Sequence, residues 1–223
     1  SFRLGYAPEG WSALRAHLER EQIPLSEGEK AGLIIKGKEG TYYDRFRGRL
    51  IIPIEDTEGR VIAFGGRVMG QEEPKYLNSP ESPVYVKGRH LYGLNRSKEF
   101  IRKEGYAILV EGYFDFLALW NAGVHPVVAS LGTALTKEQV ALLRRYTQKV
   151  YITFDSDEAG RKALARSLEL FLSADVDAWA VSLPHGCDPD SYIREYGKGG
   201  FLDILQEAQP IETYFLERVL SRE

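Results

Sequence analysis

Cysteine is almost missing from this sequence. Cys187 stands alone among 223 residues, so no internal disulfide and no cysteine-based zinc site forms within the chain. A lone thiol suits a reducing cytoplasm, which is the expected location. Histidine is nearly as scarce: His17, His90, His125 and His185 fall into no ligand or nucleophile pattern and read as structural. Long apolar runs are missing too. The longest candidate, around Val150–Phe154, is strand-length, against the roughly 20 residues that a membrane helix needs. The opening Ser1-Phe2-Arg3-Leu4-Gly5 has no basic segment followed by an apolar one, so no secretory signal is expected. There is no internal repeat and no low-complexity tract. Nor is there an excess of one charge, since the net value is −3.

With 43% hydrophobic and 27% charged residues, the chain has the composition of a soluble globular protein of one large or two small domains. Its charge is uneven. Residues 1–100 carry 16 Lys/Arg against 14 Asp/Glu, and residues 101–223 carry 13 against 18. A mildly basic half joined to an acidic one suits a division between phosphate and metal binding, although chance produces such counts as well.

Periodicity separates the same two halves. Trp11, Leu14 and Leu18 share one face of a helix over 11–20, and a second helix is expected from Ser26, with Glu29 completing a capping box. Arg49–Ile54 and Arg60–Phe64 read as strands of a hairpin turned by Asp56-Thr57-Glu58-Gly59. Residues 70–90 read as loop, broken by Pro74, Pro80 and Pro83. From about residue 100, strands and helices alternate. The strands are Tyr106–Glu111, Pro126–Ser130, Val150–Asp155 and Ala178–Leu183; the helices cover 115–122, 136–146, 157–172 and 189–195, with a capping box at Thr136 and Gln139. Strands apolar almost throughout belong to a parallel sheet with helices on both faces. A further amphipathic helix follows Pro210.

Acidic residues stand where the strands end. Glu111 closes Ile108-Leu109-Val110-Glu111-Gly112, and Asp155 and Asp157 close Phe154-Asp155-Ser156-Asp157. Sites of open α/β sheets form outside the carboxyl ends of strands. If those strands are neighbours, three carboxylates converge, and packed like charges require a cation. Oxygen donors with no imidazole nearby favour magnesium or manganese over zinc. Asp188 and Asp190 follow the fourth strand, and Asp115 lies one turn beyond Glu111. Helix capping is the competing role for Asp157 and Asp190, and a helix-start acid is an equal reading of Asp115.

The first half offers cations between glycines. Arg45, Arg47 and Arg49 alternate, and would share a side if that stretch is extended. Arg67 follows Gly65-Gly66; Lys75, Asn78 and Lys87 lie further on. Guanidinium forks and lysine point charges suit phosphate oxygens, but a solvated basic face has the same composition.

These residues sit in longer motifs. Glu111-Gly112-Tyr113-Phe114-Asp115 and Phe154-Asp155-Ser156-Asp157-Glu158-Ala159-Gly160 resemble a toprim domain, the fold shared by bacterial primases and several topoisomerases. Arg45-Phe46-Arg47-Gly48-Arg49, Gly59-Arg60-Val61-Ile62-Ala63-Phe64-Gly65-Gly66-Arg67, Pro74-Lys75-Tyr76-Leu77-Asn78-Ser79-Pro80, Leu91-Tyr92-Gly93-Leu94 and Asp188-Pro189-Asp190 resemble the DnaG-type primase core. The resemblance runs from about Phe2 to beyond Pro210. It implies an α/β fold: a smaller mixed α/β basic subdomain with antiparallel strands over 1–100, a toprim metal-binding domain over 101–207, and a C-terminal helical segment starting at 208–223. It implies a core that builds short RNA primers on single-stranded DNA by nucleotidyl transfer from nucleoside triphosphates, leaving an RNA/DNA hybrid. Glu111, Asp155 and Asp157 would be catalytic and hold more than one Mg2+ or Mn2+, with Asp115, Asp188 and Asp190 nearby in the metal site and general acid/base action as the other role for Glu111. Arg67, Lys75, Asn78 and Lys87 would meet nucleotide or template phosphates; the nucleotide-side cations would also take a guanosine polyphosphate alarmone. Arg45, Arg47 and Arg49 are the candidates for DNA contact. Zinc belongs to a module of the family outside this chain, as does the domain that meets the replicative helicase at the fork. No membrane partner is expected. The core is expected to begin before Ser1 and to continue into a helical subdomain after Glu223, and the family places a polar or basic residue where Cys187 stands. The other readings are a topoisomerase-type toprim fragment, whose tyrosine nucleophile lies on another domain, a toprim module that scaffolds recombination, and an aspartyl-phosphate phosphatase. The first half does not fit the topoisomerase reading, intact Glu111, Asp155 and Asp157 argue against the scaffold, and Asp155-Ser156-Asp157 lacks the downstream pattern of the phosphatase.

Overall fold

A computed structural model describes residues 1–70, 73–131, 134–154 and 158–220; the side chains of 158–159, 161–162 and 218–220 are outside that description. The chain divides into two compact units, Ser1–Lys87 and Gly88–Glu223.

The first unit is built on antiparallel strands. Its main sheet runs β1 (Gly5–Ala7), β4 (Arg49–Glu55), β5 (Val61–Val68) and β6 (Tyr76–Asn78), in that order. The β4–β5 hairpin forms as the sequence implies, with Asp56 at its turn accepting from the N–H groups of Glu58 and Arg60, both at 2.9 Å. Ile52 and Ile54 are fully buried, and Ala63, which pairs with Ile54, is buried with them. Two further strands, β2 (Ile34–Lys36) and β3 (Tyr42–Asp44), pair by themselves. The helices are α1 (Ala13–Arg20) and α2 (Leu25–Lys30).

Three expectations need correction here. Trp11 lies outside α1 and is 62% exposed, because the first turn of that helix is tied to Asp44 from a distant strand. α2 begins one residue before Ser26, and no side chain among the described residues caps it; Pro24, with no N–H and a fixed φ, precedes the first turn. The proline-rich stretch 70–90 contains β6, an edge strand short enough to fit between Pro74 and Pro80.

The second unit is a sheet in the order β11 (Gln209–Pro210), β10 (Asp177–Ala180), β9 (Lys149–Ile152), β7 (Ala107–Val110) and β8 (Val127–Ala129). The last four run parallel, and β11 adds an antiparallel edge. β7 and β8 are buried at every residue. Ala107, Leu109, Val150, Ile152, Ala178 and Ala180 turn into one core with Leu94, Ile101, Val140, Leu143, Phe171 and Ile211. That core draws on α3 (Leu94–Glu104), α5 (Lys137–Arg144), α6 (Glu158–Ser173) and α8 (Ile211–Leu220). α4 (Tyr113–Asn121) packs on β8 and on α7 (Pro189–Gln206). The capping box at Thr136 forms, with Gln139 N–H donating to its hydroxyl at 3.2 Å. The sequence does not announce α3, whose left-handed Gly93 cap (φ 79°) gives no polar signal. α7 runs well past residue 195, because a break at Gly197 (φ 66°) joins two helical pieces.

Candidate active site

The parallel sheet decides where the acids stand. β7 pairs with β9 in register, Leu109 against Ile152, and Thr153 N–H donates to Leu109 O at 2.9 Å. The carboxyl end of β7, where Glu111 follows, therefore lies beside the strand that runs into Asp155. Asp155 and Asp157 lie outside the described residues. Glu111 is half-buried, and its carbonyl accepts from Leu131 N–H at 3.0 Å. Leu131 holds that bond from the left-handed region (φ 68°), a conformation costly for a side chain with a Cβ. Glu111 is thus fixed through its backbone by the loops that follow two neighbouring strands.

The outer acids have local work. Asp115 is buried, and its carboxylate accepts from Gly112 N–H at 2.9 Å, closing the first turn of α4. Asp188, and not Asp190, caps α7: it accepts from Ser191 N–H at 2.7 Å, and Asp188 N–H donates in return to Ser191 Oγ at 3.0 Å. Asp190 accepts from Arg194 Nε at 2.6 Å, one turn along, which raises that guanidinium's pKa. Among the described residues, no three His, Cys, Asp or Glu side chains are grouped to hold a metal ion. A set made of Glu111 and the acids following β9 consists of carboxylate oxygens, which fits hard divalent cations.

In the first unit the predicted cations take different environments. Arg67 pairs across strands with Tyr76, its guanidinium 5.8 Å from that ring, and Asn78 stands two residues beyond Tyr76 on the same strand face. Lys75 is exposed, and burial lowers the pKa of the half-buried Lys87. Arg45 and Arg47 lie in the connection between β3 and β4, not in a strand, so the simple alternation does not hold there. Arg45 donates to Asn78 O at 3.1 Å; burial pulls its pKa down, and its buried Nε has no hydrogen-bond partner among the described residues. Arg47 lies 4.0 Å over the ring of Trp11 and donates to Asp44 O. Arg49 is buried and donates to the carbonyls of Gly66 and Lys75.

Sequence reasoning passed over Asp44. It is 2% exposed and accepts from Leu14 and Arg15 N–H at 2.7 and 2.8 Å, serving α1 as an N-terminal cap from the end of β3. No local spacing signals a cap that comes from 30 residues away.

Comparison with known proteins matches both units. Residues 1–98 match the family described as the DNA primase catalytic core, N-terminal domain, and residues 108–193 match a Toprim-like family. A DNA primase of Aquifex aeolicus is 48% identical over 88% of this chain and 39% of its own length. The chain spans 30–39% of the first curated relatives, so it corresponds to one part of them. A solved DnaG primase catalytic domain bound to single-stranded DNA is 38% identical, with a TM-score of 0.90 over 99% of this chain and 72% of that one. A DNA primase domain from Pseudomonas aeruginosa superposes with a TM-score of 0.93 at 42% identity, covering 99% of this chain and 70% of that one. Such likeness, carried through the antiparallel unit and the toprim unit alike, makes this chain a member of the DnaG-type DNA primase family, matching that family's catalytic core.

Proposed function

We propose that the chain is the polymerising core of a primase, which joins ribonucleotides on a single-stranded DNA template. The pairing of β7 with β9 carries this reading, because it sets the strand end at Glu111 beside the one leading to Asp155 and Asp157. A primer or initiating nucleotide offers its 3′-hydroxyl to the α-phosphorus of an incoming nucleoside triphosphate, and pyrophosphate leaves. Glu111, Asp155 and Asp157 hold the divalent ions, with Asp115, Asp188 and Asp190 shaping the surrounding helix starts. Magnesium or manganese bound there would lower the hydroxyl's pKa and offset charge on the leaving oxygen. Lys75, Lys87, Arg67 and Asn78 bind nucleotide phosphates, and a guanosine polyphosphate competes for the same cations. Arg45 and Arg47 meet the template backbone. The product is a short RNA/DNA hybrid, and the helicase is met through parts of the protein outside this chain. The place of action is the replication fork.

The N-terminal match favours this over a topoisomerase or scaffold role, since it covers the half of the chain that those readings leave unexplained. Template-dependent ribonucleotide incorporation, measured on the chain extended to the length of its solved relatives, tests it. Incorporation that requires magnesium or manganese and disappears in Glu111→Gln is expected. Incorporation that survives this substitution would move the chemistry elsewhere.

A further inference from the structure

Arg49 has the charge of a phosphate ligand but not the position of one. It opens β4 opposite Val68 and is 7% exposed. Its side chain lies on the sheet face of Val68 and Gly66, opposite the face of Arg67 and Asn78. The stem crosses β5 at Gly66. A Cβ added there would stand 3.1 Å from Arg49 Cδ and 2.7 Å from Phe46 Cδ1, so the glycine leaves the channel open. Beyond it, Arg49 Nη1 donates to Gly66 O at 3.5 Å and to Lys75 O at 3.4 Å. Lys75 O also accepts from Val68 N–H at 3.1 Å. A charged donor therefore reaches from β4 across β5 and grips the main chain where β6 is about to begin.

We propose that Arg49 is a positioning residue, whose buried guanidinium fixes the backbone at Lys75 and so presents the exposed Lys75 ammonium to nucleotide phosphate. The inference rests on the phosphate role proposed above for Lys75. An ammonium on a flexible stem gains affinity when its anchor is already ordered, because less freedom is lost on binding. Without the guanidinium, Lys75 O keeps the Val68 N–H as donor but loses the charged one, and the segment entering β6 is less ordered before the ligand binds. Arg45 supports the far end of the same strand by its bond to Asn78 O.

Two measurements on Arg49→Met, Arg49→Lys, Lys75→Ala and the double variant Arg49→Met/Lys75→Ala decide the matter. Hydrogen exchange of the Val68 amide and of residues 73–77 should quicken in both Arg49 variants, while the β4–β5 turn around Asp56 keeps the parent rate. Arg49→Lys keeps the buried charge and serves if the Met variant does not fold. In titrations with ATP and manganese, Lys75→Ala should weaken binding about tenfold and either Arg49 variant about fivefold, with the double variant no weaker than Lys75→Ala alone. Unchanged exchange overturns the inference, as does a double variant whose losses simply add. ATP affinity unaffected by Lys75→Ala overturns the phosphate role of Lys75 instead, and leaves the exchange result to judge the clamp.

Discussion

The two units use charge in opposite ways. In the unit around the parallel sheet, the strands are sealed by apolar side chains, and the acids appear where the strands stop. Glu111 follows four buried residues, and Asp155 follows a strand and two buried residues, Thr153 and Phe154. In the antiparallel unit, charged groups enter the packing itself: Arg49 and Asp44 are as buried as their apolar neighbours, and both are bound to main-chain groups. Helix-covered parallel strands push polar residues to their ends, so position follows from topology. Short antiparallel strands with few core residues need side-chain bonds to hold their connections. Asp44 and Arg49 therefore bind backbone from inside the first unit, whereas Glu111 and the acids after β9 stand at strand ends of the second.

The largest effect expected from this contrast is on chemistry alone. Glu111→Gln should lower ribonucleotide incorporation by about a hundredfold or more, the scale on which a carboxylate acting on the reacting groups counts. Stability without metal should hold or rise, since one charge leaves an acidic set. The upward shift of the melting temperature given by magnesium or manganese should shrink. A Glu111→Gln chain that unfolds readily would make the residue structural and erase the contrast.

Next in size is a substitution that strikes backbone packing. Gly93 has φ 79°, and a Cβ built there would stand 2.0 Å from Phe116 Cε2. Gly93→Ala should cost about 3 kcal/mol or more, combining left-handed strain with overpacking of a buried ring. Chemical denaturation measures it. A loss below about 1 kcal/mol would show that α3 and α4 repack easily.

How far the sequence foretold all this differs between the units for the same reason. The strand–helix alternation after residue 100, the parallel sheet and the Thr136 capping box were legible, because a 3.6-residue period, a sealed strand and a local cap are all written in neighbouring residues. The adjacency of β7 and β9 was needed for the acidic cluster and was available only as a condition, since strand order is not local. The alternation rule makes Arg49 a DNA-contact candidate together with Arg45 and Arg47, but those two lie outside any strand and Arg49 is buried. Asp44 gave no signal, because the amides it serves lie 30 and 29 residues away. Trp11 looked like a core position of α1 and is exposed, stacked under Arg47, because the helix starts at Ala13.

Asp44 sharpens the comparison from the other side. Its carboxylate satisfies two amides at the start of α1 in a buried setting, and its own N–H donates to Trp11 O at 2.8 Å. Asp44→Ala should destabilise the first unit by about 2 kcal/mol, the upper range for loss of a helix cap. Affinity for single-stranded DNA should fall in the same variant, since losing the carboxylate's two bonds loosens the end of β3, whose main-chain Asp44 O holds Arg47. An unchanged melting temperature with weakened DNA binding would turn Asp44 into a ligand-side residue and break the contrast at its strongest point.

The smallest effect belongs to a charge on the surface of that same unit. Asp56 sits at the β4–β5 turn. Partial burial pushes its carboxyl up, but the N–H and guanidinium of Arg60 and the N–H of Glu58 outweigh this and hold its pKa below the usual 3.8. A carboxyl depressed in the folded state stabilises it at pH values above the unfolded pKa, and that contribution is lost as pH falls through the folded one. Arg60 is largely exposed, so solvent screens the pair and the gain stays below about 1 kcal/mol. Asp56→Asn keeps an oxygen for the two turn amides and removes only the charge. Its melting temperature should lie slightly under the parent's at pH 7, and the difference should close as pH falls through the depressed carboxyl's titration. A deficit that persists in acid would mean that the turn depends on the shape of Asp56 and not on its charge, which would make this exposed corner obey the same backbone-binding rule as the buried Asp44.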